Sequence, residues 1–334
     1  MGLKENSRVL VIGGGSWATA LSKLVSENKK ELFWWMRNED SIIHLNKFGH
    51  NPKYLQSASF ETSNIELDSD LTALVSKAEI LIIAVPSAFI HETLKVLPKD
   101  ILKDKVIFSA VKGMIPEYNV IPARYFHKHF DVPYENIGII CGPCHAEEIA
   151  MERLSYLTVA CSNQEKAKLM ASYLSCRYVN TKVSDDLFGT EFSAILKNVY
   201  ALAAGITSGL GYGDNFQAIL ISNSIREIEK FIDAVHPIHR DTKTSAYLGD
   251  LLVTAYSKFS RNRSFGFMIG KGYSLKTAQM EMNMIAEGYY AVKSLSKVKK
   301  EFNVDMPILD CVYAILYENA SPRKKINALT EILD

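Results

Sequence analysis

Short, continuously apolar runs recur through the first half of this chain and then stop. They are Arg8–Ile12, Leu32–Met36, Glu79–Val85, Val106–Ala110, Ile137–Cys141 and Leu157–Cys161. Runs of Val, Ile, Leu and Phe without polar alternation are the pattern of strands buried on both faces, which a parallel sheet covered by helices requires. Amphipathic stretches such as Ser16–Glu27 and Leu71–Lys77 separate them. The order strand, helix, strand, helix predicts a doubly wound sheet. From near Asp185 the texture changes. Helical periodicity covers Gly189–Ser208, Asn215–Ala234, Thr244–Ser257 and Leu275–Lys300, and Pro307 and Pro322 punctuate the tail. The expected architecture is a mostly parallel α/β domain over residues 1–185, joined to an all-helical domain over 186–334.

Composition narrows the function classes. A chain of 334 residues suits two domains at roughly 150 residues each. With 48% hydrophobic and 22% charged residues it can bury an ordinary core. Thirty-eight basic against 37 acidic residues leave a net charge of +1, which argues against a nucleic-acid partner or a membrane-seeking surface. No apolar run approaches the ~18 to 20 residues of a membrane span. Met1 to Arg8 is polar and has no secretory apolar core. Five cysteines, an odd count, do not suggest a disulfide scaffold. The expectation is a soluble, cytoplasmic protein acting on a small molecule. A homodimer surface on the helical domain is compatible with its amphipathic helices, but periodicity does not separate it from intramolecular packing.

The first apolar run, Val9-Leu10-Val11-Ile12, leads straight into Gly13-Gly14-Gly15-Ser16-Trp17-Ala18 and a helix-forming stretch. This is G-x-G-x-x-A between a strand and a helix, in the first βα turn, and makes the sheet one of Rossmann type. Gly13 permits the tight turn, Gly15 lets backbone approach a pyrophosphate, and Ala18 lets the helix pack on its strand. The helix N-terminus offers N–H groups to the phosphates. The second run ends Trp35-Met36-Arg37. An acidic residue there would bond the ribose 2′-hydroxyl of NAD, and an arginine suits the 2′-phosphate of NADP. Arg37 tilts the reading toward NADP, or toward use of both; the bland alternative is a surface arginine opening the next helix.

Cys141-Gly142-Pro143-Cys144 follows an apolar run and resembles a dithiol redox site. Its surroundings argue otherwise. It lies late, after most of a dinucleotide-type domain, Ile140 stands where such sites carry tryptophan, and no second cysteine pair completes a zinc site with His145. The expected role is geometric, with Gly142-Pro143 turning the chain so that N–H groups near Cys144 to Ala146 face a ligand. No metal site is expected.

Gly189–Ser208 is the most informative helix. Phe192, Ile195, Leu196, Val199, Leu202, Ala203 and Ile206 form one apolar stripe. Lys197 points nearly opposite it, beside Thr190, Ser193, Ala194, Ala201, Ala204 and Ser208, and the stretch's only other charge is Glu191. A solvated face would carry several charges. Small residues around one lysine suggest a desolvated amine suited to proton transfer. Lys112, just past the Val106–Ala110 run, stands where ligands bind in open α/β sheets, or on an ordinary surface loop. Downstream, Arg261 can fork onto a phosphate, with Ser260 and Asn262 as neutral donors, unless the segment is only a polar turn. Asp250, inside an apolar run, needs a cation if buried, and Lys197 is the obvious candidate.

In series these pieces resemble the NAD(P)-dependent glycerol-3-phosphate dehydrogenase family of bacterial type, over essentially the whole chain. The resemblance rests on Gly13-x-Gly15-Ser16-Trp17-Ala18-Thr19-Ala20-Leu21, Val111-Lys112-Gly113, Gly142-Pro143-x-x-Ala146-Glu147, Lys197-Asn198-Val199-Tyr200-Ala201, Gly249-Asp250-Leu251, Ser260-Arg261-Asn262 with Phe265-Gly266, and Glu287-Gly288. It implies NADPH- or NADH-dependent reduction of dihydroxyacetone phosphate to sn-glycerol 3-phosphate, supplying phospholipid synthesis. It implies Lys197 as proton donor and acceptor, Lys112 offsetting negative charge at the reacting centre and Asp250 holding the lysine. Gly142, Cys144, Lys112, Lys197, Asp250, Ser260, Arg261 and Asn262 would line the substrate site. Gly13, Gly15, Ser16, Trp17, Ala18, Arg37, Lys112, Ala146, Arg261, Ile285 and Glu287 would contact the dinucleotide. Three positions depart from the family pattern. Cys144 stands where Ser or Thr is usual, His145 where Phe is, and Asn223 where Arg is. The alternatives are a related dehydrogenase with another substrate, such as a ketopantoate reductase or hydroxyacyl-CoA dehydrogenase, a nucleotide sensor without catalysis, and a Cys141/Cys144 dithiol oxidoreductase.

Overall fold

The sheet begins with the run that precedes the glycine loop. In the computed structural model, which describes residues 6–28, 31–282 and 286–334, β1 (Val9–Ile12) lies between β2 (Leu32–Trp35) and β4 (Ile80–Ile83), parallel to both. With β3 (Ile65–Asp68), β5 (Val106–Ser109), β6 (Ile137–Cys141), β7 (Ser155–Cys161) and β8 (Val179–Ser184), the order is β3-β2-β1-β4-β5-β6-β7-β8. The first six make the doubly wound order, so the chain direction across the sheet reverses between β1 and β4, where such sheets bind ligands. The β6–β7 pair is antiparallel, and β8 is parallel to β7. Strands β1, β2, β4, β5 and β6 are buried along their whole length.

Two strands carry no apolar run. β3 and β8 are the sheet's edges, and each is only partly buried, with exposed Glu66 and half-buried Asp68 in one and exposed Asn180 and Lys182 in the other. An edge strand packs on one side only, so the buried-strand pattern has no reason to extend to it.

Around the sheet, in the same unit, run α1 (Ser16–Glu27), α2 (Glu39–Phe48), α3 (Leu71–Lys77), α4 (Ile90–Leu94), α5 (Pro122–Phe130), α6 (Ala146–Ala150) and α7 (Gln164–Leu174). The second unit holds α8 (Leu187–Leu210), α9 (Asp214–Val235), α10 (Asp250–Tyr256), α11 (Arg261–Gly270), α12 (Leu275–Glu281), α13 (Glu287–Glu301), α14 (Pro307–Tyr317) and α15 (Pro322–Thr330). By compactness the chain divides at Leu187/Phe188, and Lys112–Val120 belongs with the helical unit. Lys112 therefore shares a unit with Lys197, although its sequence neighbours build the sheet.

Two helices expected to be continuous are interrupted. Leu275–Lys300 is α12 and α13, because Met282 and Ala286 are both extended. Ser245–Gly249 is a π-helical turn that passes into α10 at Asp250. Amphipathic periodicity continues across such breaks, so the sequence pattern does not register them.

The helical core is tied by one buried carboxylate. Glu227 of α9 accepts the Ile308 N–H at 2.9 Å, the Leu309 N–H at 3.0 Å and the Tyr200 hydroxyl at 3.1 Å. Two of the open amides at the start of α14 are thereby satisfied, and α8, α9 and α14 are joined. Among the described residues no helix is long and apolar enough to cross a membrane.

Candidate active site

Between β1 and α1 the glycine loop turns its carbonyls inward. Gly13 sits at φ +138°, and a Cβ there would lie 2.5 Å from the Ala84 carbonyl oxygen and 3.3 Å from the Ala18 Cβ. Only glycine fits this position. The Gly13 carbonyl accepts the Trp34 Nε1–H at 2.7 Å, and the Gly14 carbonyl accepts Asn51 Nδ2 at 3.1 Å. The Gly15 carbonyl accepts the Thr19 hydroxyl at 3.0 Å and the Thr19 N–H at 2.9 Å. Gly15 is the N-cap of α1, whose first turn contains Ser16 and Trp17. A Cβ on Gly15 would meet nothing within 4 Å.

Arg37 is exposed just beyond β2, next to Asn38, which caps α2 by accepting the Ser41 N–H at 2.8 Å. At the end of β6, Gly142 turns the chain at φ +118°. Cys144 is buried, His145 is the N-cap of α6 and Ala146 its first residue. Neither Cys141 nor Cys144 is in a disulfide. Cys141 ends a strand and Cys144 precedes its helix, so the pair does not share a helical turn as a dithiol site's does.

In the helical unit the lysine helix is buried on the lysine's side as well. Lys197 is 3% exposed, and its Nζ donates to Asp250 Oδ1, itself in a residue only 1% exposed. A solvated lysine is thus excluded. Asp250 Oδ2 is also buried, with no hydrogen-bond partner among the described residues. The π-helical turn sets Asp250 at the head of α10, and the Thr254 hydroxyl donates to the Asp250 carbonyl at 2.6 Å.

Further along the lysine helix, Gly205 and Gly209 take part in a backbone-to-backbone helix contact. A Cβ on Gly205 would fall inside the Arg263 carbonyl, and one on Gly209 inside that of Phe267. Reciprocally, Gly266 abuts the Leu202 carbonyl and Gly270 that of Ile206. The pairs advance together, so α8 and α11 run parallel in register, and the start of α11 is level with Asn198. Ser260, Arg261 and Asn262 lie at that start, with the Ser260 hydroxyl oxygen capping it by accepting the Arg263 N–H at 3.3 Å. Asn262 Oδ1 accepts the Gly288 N–H at 2.9 Å, drawing in the first turn of α13 and Glu287. Asn198 Nδ2 donates to the Lys112 carbonyl at 2.8 Å, which anchors the Lys112 segment to the same helix.

Of the residues singled out in the sequence, Lys112, Lys197, Asp250, Ser260, Arg261, Asn262 and Glu287 lie in the helical unit, and Gly13, Gly15, Ser16, Trp17, Ala18, Arg37, Gly142, Cys144 and Ala146 in the sheet unit. Ile285 lies outside the described residues. Asn223 is on the exposed face of α9, where its amide donates to the Ile219 carbonyl at 2.9 Å and the Asp334 carbonyl at 2.8 Å. Sequence reasoning assigned no role to Asn51, Asn198 or Thr254. Only Asn198 carried a signal, its place directly after the unusual lysine.

A glycine loop at the switch point of a doubly wound sheet, followed by a helical unit with a buried lysine–carboxylate pair, is the plan of dehydrogenases that use a nicotinamide dinucleotide, and that is the class of this chain. Comparison with known proteins narrows it. The family description "NAD-dependent glycerol-3-phosphate dehydrogenase N-terminus" matches residues 8–167, and its C-terminal counterpart matches 186–327. A glycerol-3-phosphate dehydrogenase [NAD(P)+] of Staphylococcus aureus (strain JH9) is 33% identical over 328 residues, covering 97% of this chain and 98% of that protein. The solved glycerol-3-phosphate dehydrogenase of Coxiella burnetii superposes with a TM-score of 0.89 at 26% identity, over 98% of this chain and 100% of that one. The Plasmodium falciparum enzyme shares the fold, with a TM-score of 0.85 at 22% identity over 96% of this chain and 94% of its own. The chain belongs to the NAD-dependent glycerol-3-phosphate dehydrogenase family.

Proposed function

We propose that this protein reduces dihydroxyacetone phosphate to sn-glycerol 3-phosphate with NADPH or NADH, reversibly, and that Lys197 carries the proton. The observation that supports the reading most is the buried Lys197–Asp250 pair, in a chain matched by the family along its length.

The glycine loop fits a dinucleotide. The space beside Gly15 that a Cβ would fill is open, the loop's carbonyls are occupied inward, and the N-terminal end of α1 adds its partial positive charge. Gly13, Gly15, Ser16, Trp17 and Ala18 would hold the pyrophosphate, and Arg37 the adenosine end. When bound, the dinucleotide supplies the hydride.

The chain's own groups handle charge and protons. Reduction of the central carbonyl leaves negative charge on its oxygen, and Lys197 donates a proton there; in reverse it accepts one. Asp250 offsets the cost of a buried ammonium and fixes its direction. Lys112, anchored through Asn198, adds positive charge against the developing oxyanion. Arg261 and the start of α11 suit the phosphate, and since Asn262 spends its oxygen on Gly288, its Nδ2 is the end left for substrate. Gly142, Cys144, Ala146 and Glu287 complete the expected contacts. A cytoplasmic location is part of this reading, in keeping with the odd count of five cysteines.

The test follows loss of reduced-dinucleotide absorbance with dihydroxyacetone phosphate, using NADPH and NADH in parallel, for wild type and Lys197→Ala. Wild-type turnover should fall by about 10²- to 10⁴-fold in the variant. Faster turnover with NADPH than NADH would fit Arg37 meeting a 2′-phosphate. Wild type that binds dinucleotide yet never oxidises it would reject the reading.

A further inference from the structure

Asn51 is a buried polar side chain of the sheet unit that holds four hydrogen bonds and lies outside the expected site residues. It is 1% exposed, in the loop after α2. Its Nδ2 donates to the Gly14 carbonyl at 3.1 Å and to the Thr19 hydroxyl at 2.9 Å. Its Oδ1 accepts the N–H of Lys53 at 3.0 Å and of Tyr54 at 3.2 Å. The loop is closed at its base by the Phe60 N–H donating to the Gly49 carbonyl at 2.8 Å.

The consequence comes from peptide geometry. In a planar trans peptide the carbonyl and the N–H point in opposite directions, and the chain has no cis peptide bond among its described residues. Fixing the Gly14 carbonyl inward therefore aims the Gly15 N–H outward. Trp34 on the Gly13 carbonyl does the same for the Gly14 N–H, and Thr19 on the Gly15 carbonyl for the Ser16 N–H. Each of these three N–H groups is thereby turned away from the partner that holds its peptide's carbonyl. The Gly14–Gly15 peptide, like Gly13–Gly14, has glycine on both sides and meets little steric resistance to rotation. Its inward bond comes from outside the β1–α1 segment, from Asn51.

We infer that Asn51 is a positioning residue for dinucleotide binding: its amide locks the Gly14–Gly15 peptide in the orientation that presents the Gly15 N–H to the pyrophosphate. The inference rests on the reading of the glycine loop as the dinucleotide site. Its effect falls on dinucleotide affinity and leaves proton transfer in the helical unit alone.

The test compares Asn51→Ala with Asn28→Ala. Asn28 pins the other end of α1, its Nδ2 donating to the carbonyls of Leu24, Tyr173 and Ser175 at 3.1, 2.7 and 3.1 Å. NADPH is titrated by its own fluorescence, melting is recorded, and kcat and both KM values are measured. Asn51→Ala should weaken NADPH binding about tenfold, through a buried hydrogen bond lost. It should raise the dinucleotide KM in step, with kcat at saturation and the KM for dihydroxyacetone phosphate within about twofold. Asn28→Ala should melt earlier and bind NADPH as wild type does. An Asn51→Ala protein that melts earlier with unchanged NADPH affinity would overturn the inference, as would loss of kcat alone. If Asn51→Ala does not fold, Thr19→Val removes one of the amide's two acceptors and must weaken NADPH binding; unchanged affinity there overturns it equally. Wild type that binds neither NADPH nor NADH would overturn the glycine-loop reading itself, a result distinct from unaltered variants.

Discussion

The two units of this chain prepare for chemistry in opposite ways. The sheet unit presents backbone: a glycine loop whose carbonyls are occupied inward and whose amide N–H groups are the proposed recognition surface. The helical unit presents side chains that are costly to bury, Lys197 and Asp250, gathered from segments far apart in the sequence. Backbone recognition needs a conformation, which a few glycines and one strand–helix junction can supply. Side-chain recognition needs an assembly, and here four glycines supply it by letting α8 and α11 touch along their backbones.

Glycine itself can break or sharpen that contrast. At Gly266 a Cβ would fall inside the Leu202 carbonyl, backbone that cannot step aside without parting the helices. Gly266→Ala should therefore cost the helical unit about 3 kcal/mol in denaturant unfolding, the upper range for overpacking. Turnover should fall in whatever remains folded, as the start of α11 moves from Asn198. Gly15 has ordinary dihedrals and open space around it. Gly15→Ala should leave unfolding within about 1 kcal/mol, yet weaken dinucleotide binding at least about tenfold by filling the pyrophosphate's approach. If the stability losses came out reversed, glycine would not be doing different work in the two units.

The same contrast explains what the sequence disclosed. Backbone recognition has fixed spacing, so Gly13, Gly15 and Ala18 were legible along with the central strands, whose burial on both faces forces continuous apolar runs. The edge strands β3 and β8 were not, since exposed Glu66 and Lys182 impose no such pattern. Lys197 was legible for a negative reason, the lack of other charges near it. Gly205, Gly209, Gly266 and Gly270 sit in helices where the sequence shows only residues of low helix propensity; their purpose lies in the partner helix. Asn51 was invisible because a loop asparagine is common, and its worth lies in a carbonyl distant in sequence. The break between α12 and α13 was hidden because periodicity persists through it.

Buried charge also gives the helical unit a pH dependence of its own. Burial pushes the Glu227 carboxyl up to about 7, against the pull of the Ile308 and Leu309 amides and the Tyr200 hydroxyl. A carboxyl raised above its unfolded value of 4.5 stabilises the fold fully below that value, and the contribution is lost as pH rises through about 7. Urea midpoints of wild type should thus decline from pH 5 to 7.5 by up to about 1.4 kcal/mol per pH unit, the limit for one proton. Glu227→Gln should be less stable overall, because an amide cannot accept from all three donors, but without that slope. A variant that keeps the slope would assign the proton elsewhere. If the loss appeared in a probe of the sheet unit alone, the contrast between the units would fail.

Smallest of all should be the effect of Cys144→Ser. Cys144 is buried in the turn from β6 toward α6, where Gly142 at φ +118° sets the backbone. A unit that works through backbone should tolerate exchange of one small side chain for another. The hydroxyl is also the better hydrogen-bond donor. Turnover should stay within about twofold, and the KM for dihydroxyacetone phosphate should hold or fall, if serine adds a hydrogen bond worth up to about 1 kcal/mol. Loss of turnover in a folded Cys144→Ser protein would mean that a thiol in the sheet unit carries chemistry. The division between a unit that binds through its backbone and a unit that reacts through its side chains would then have to be redrawn around Cys141 and Cys144.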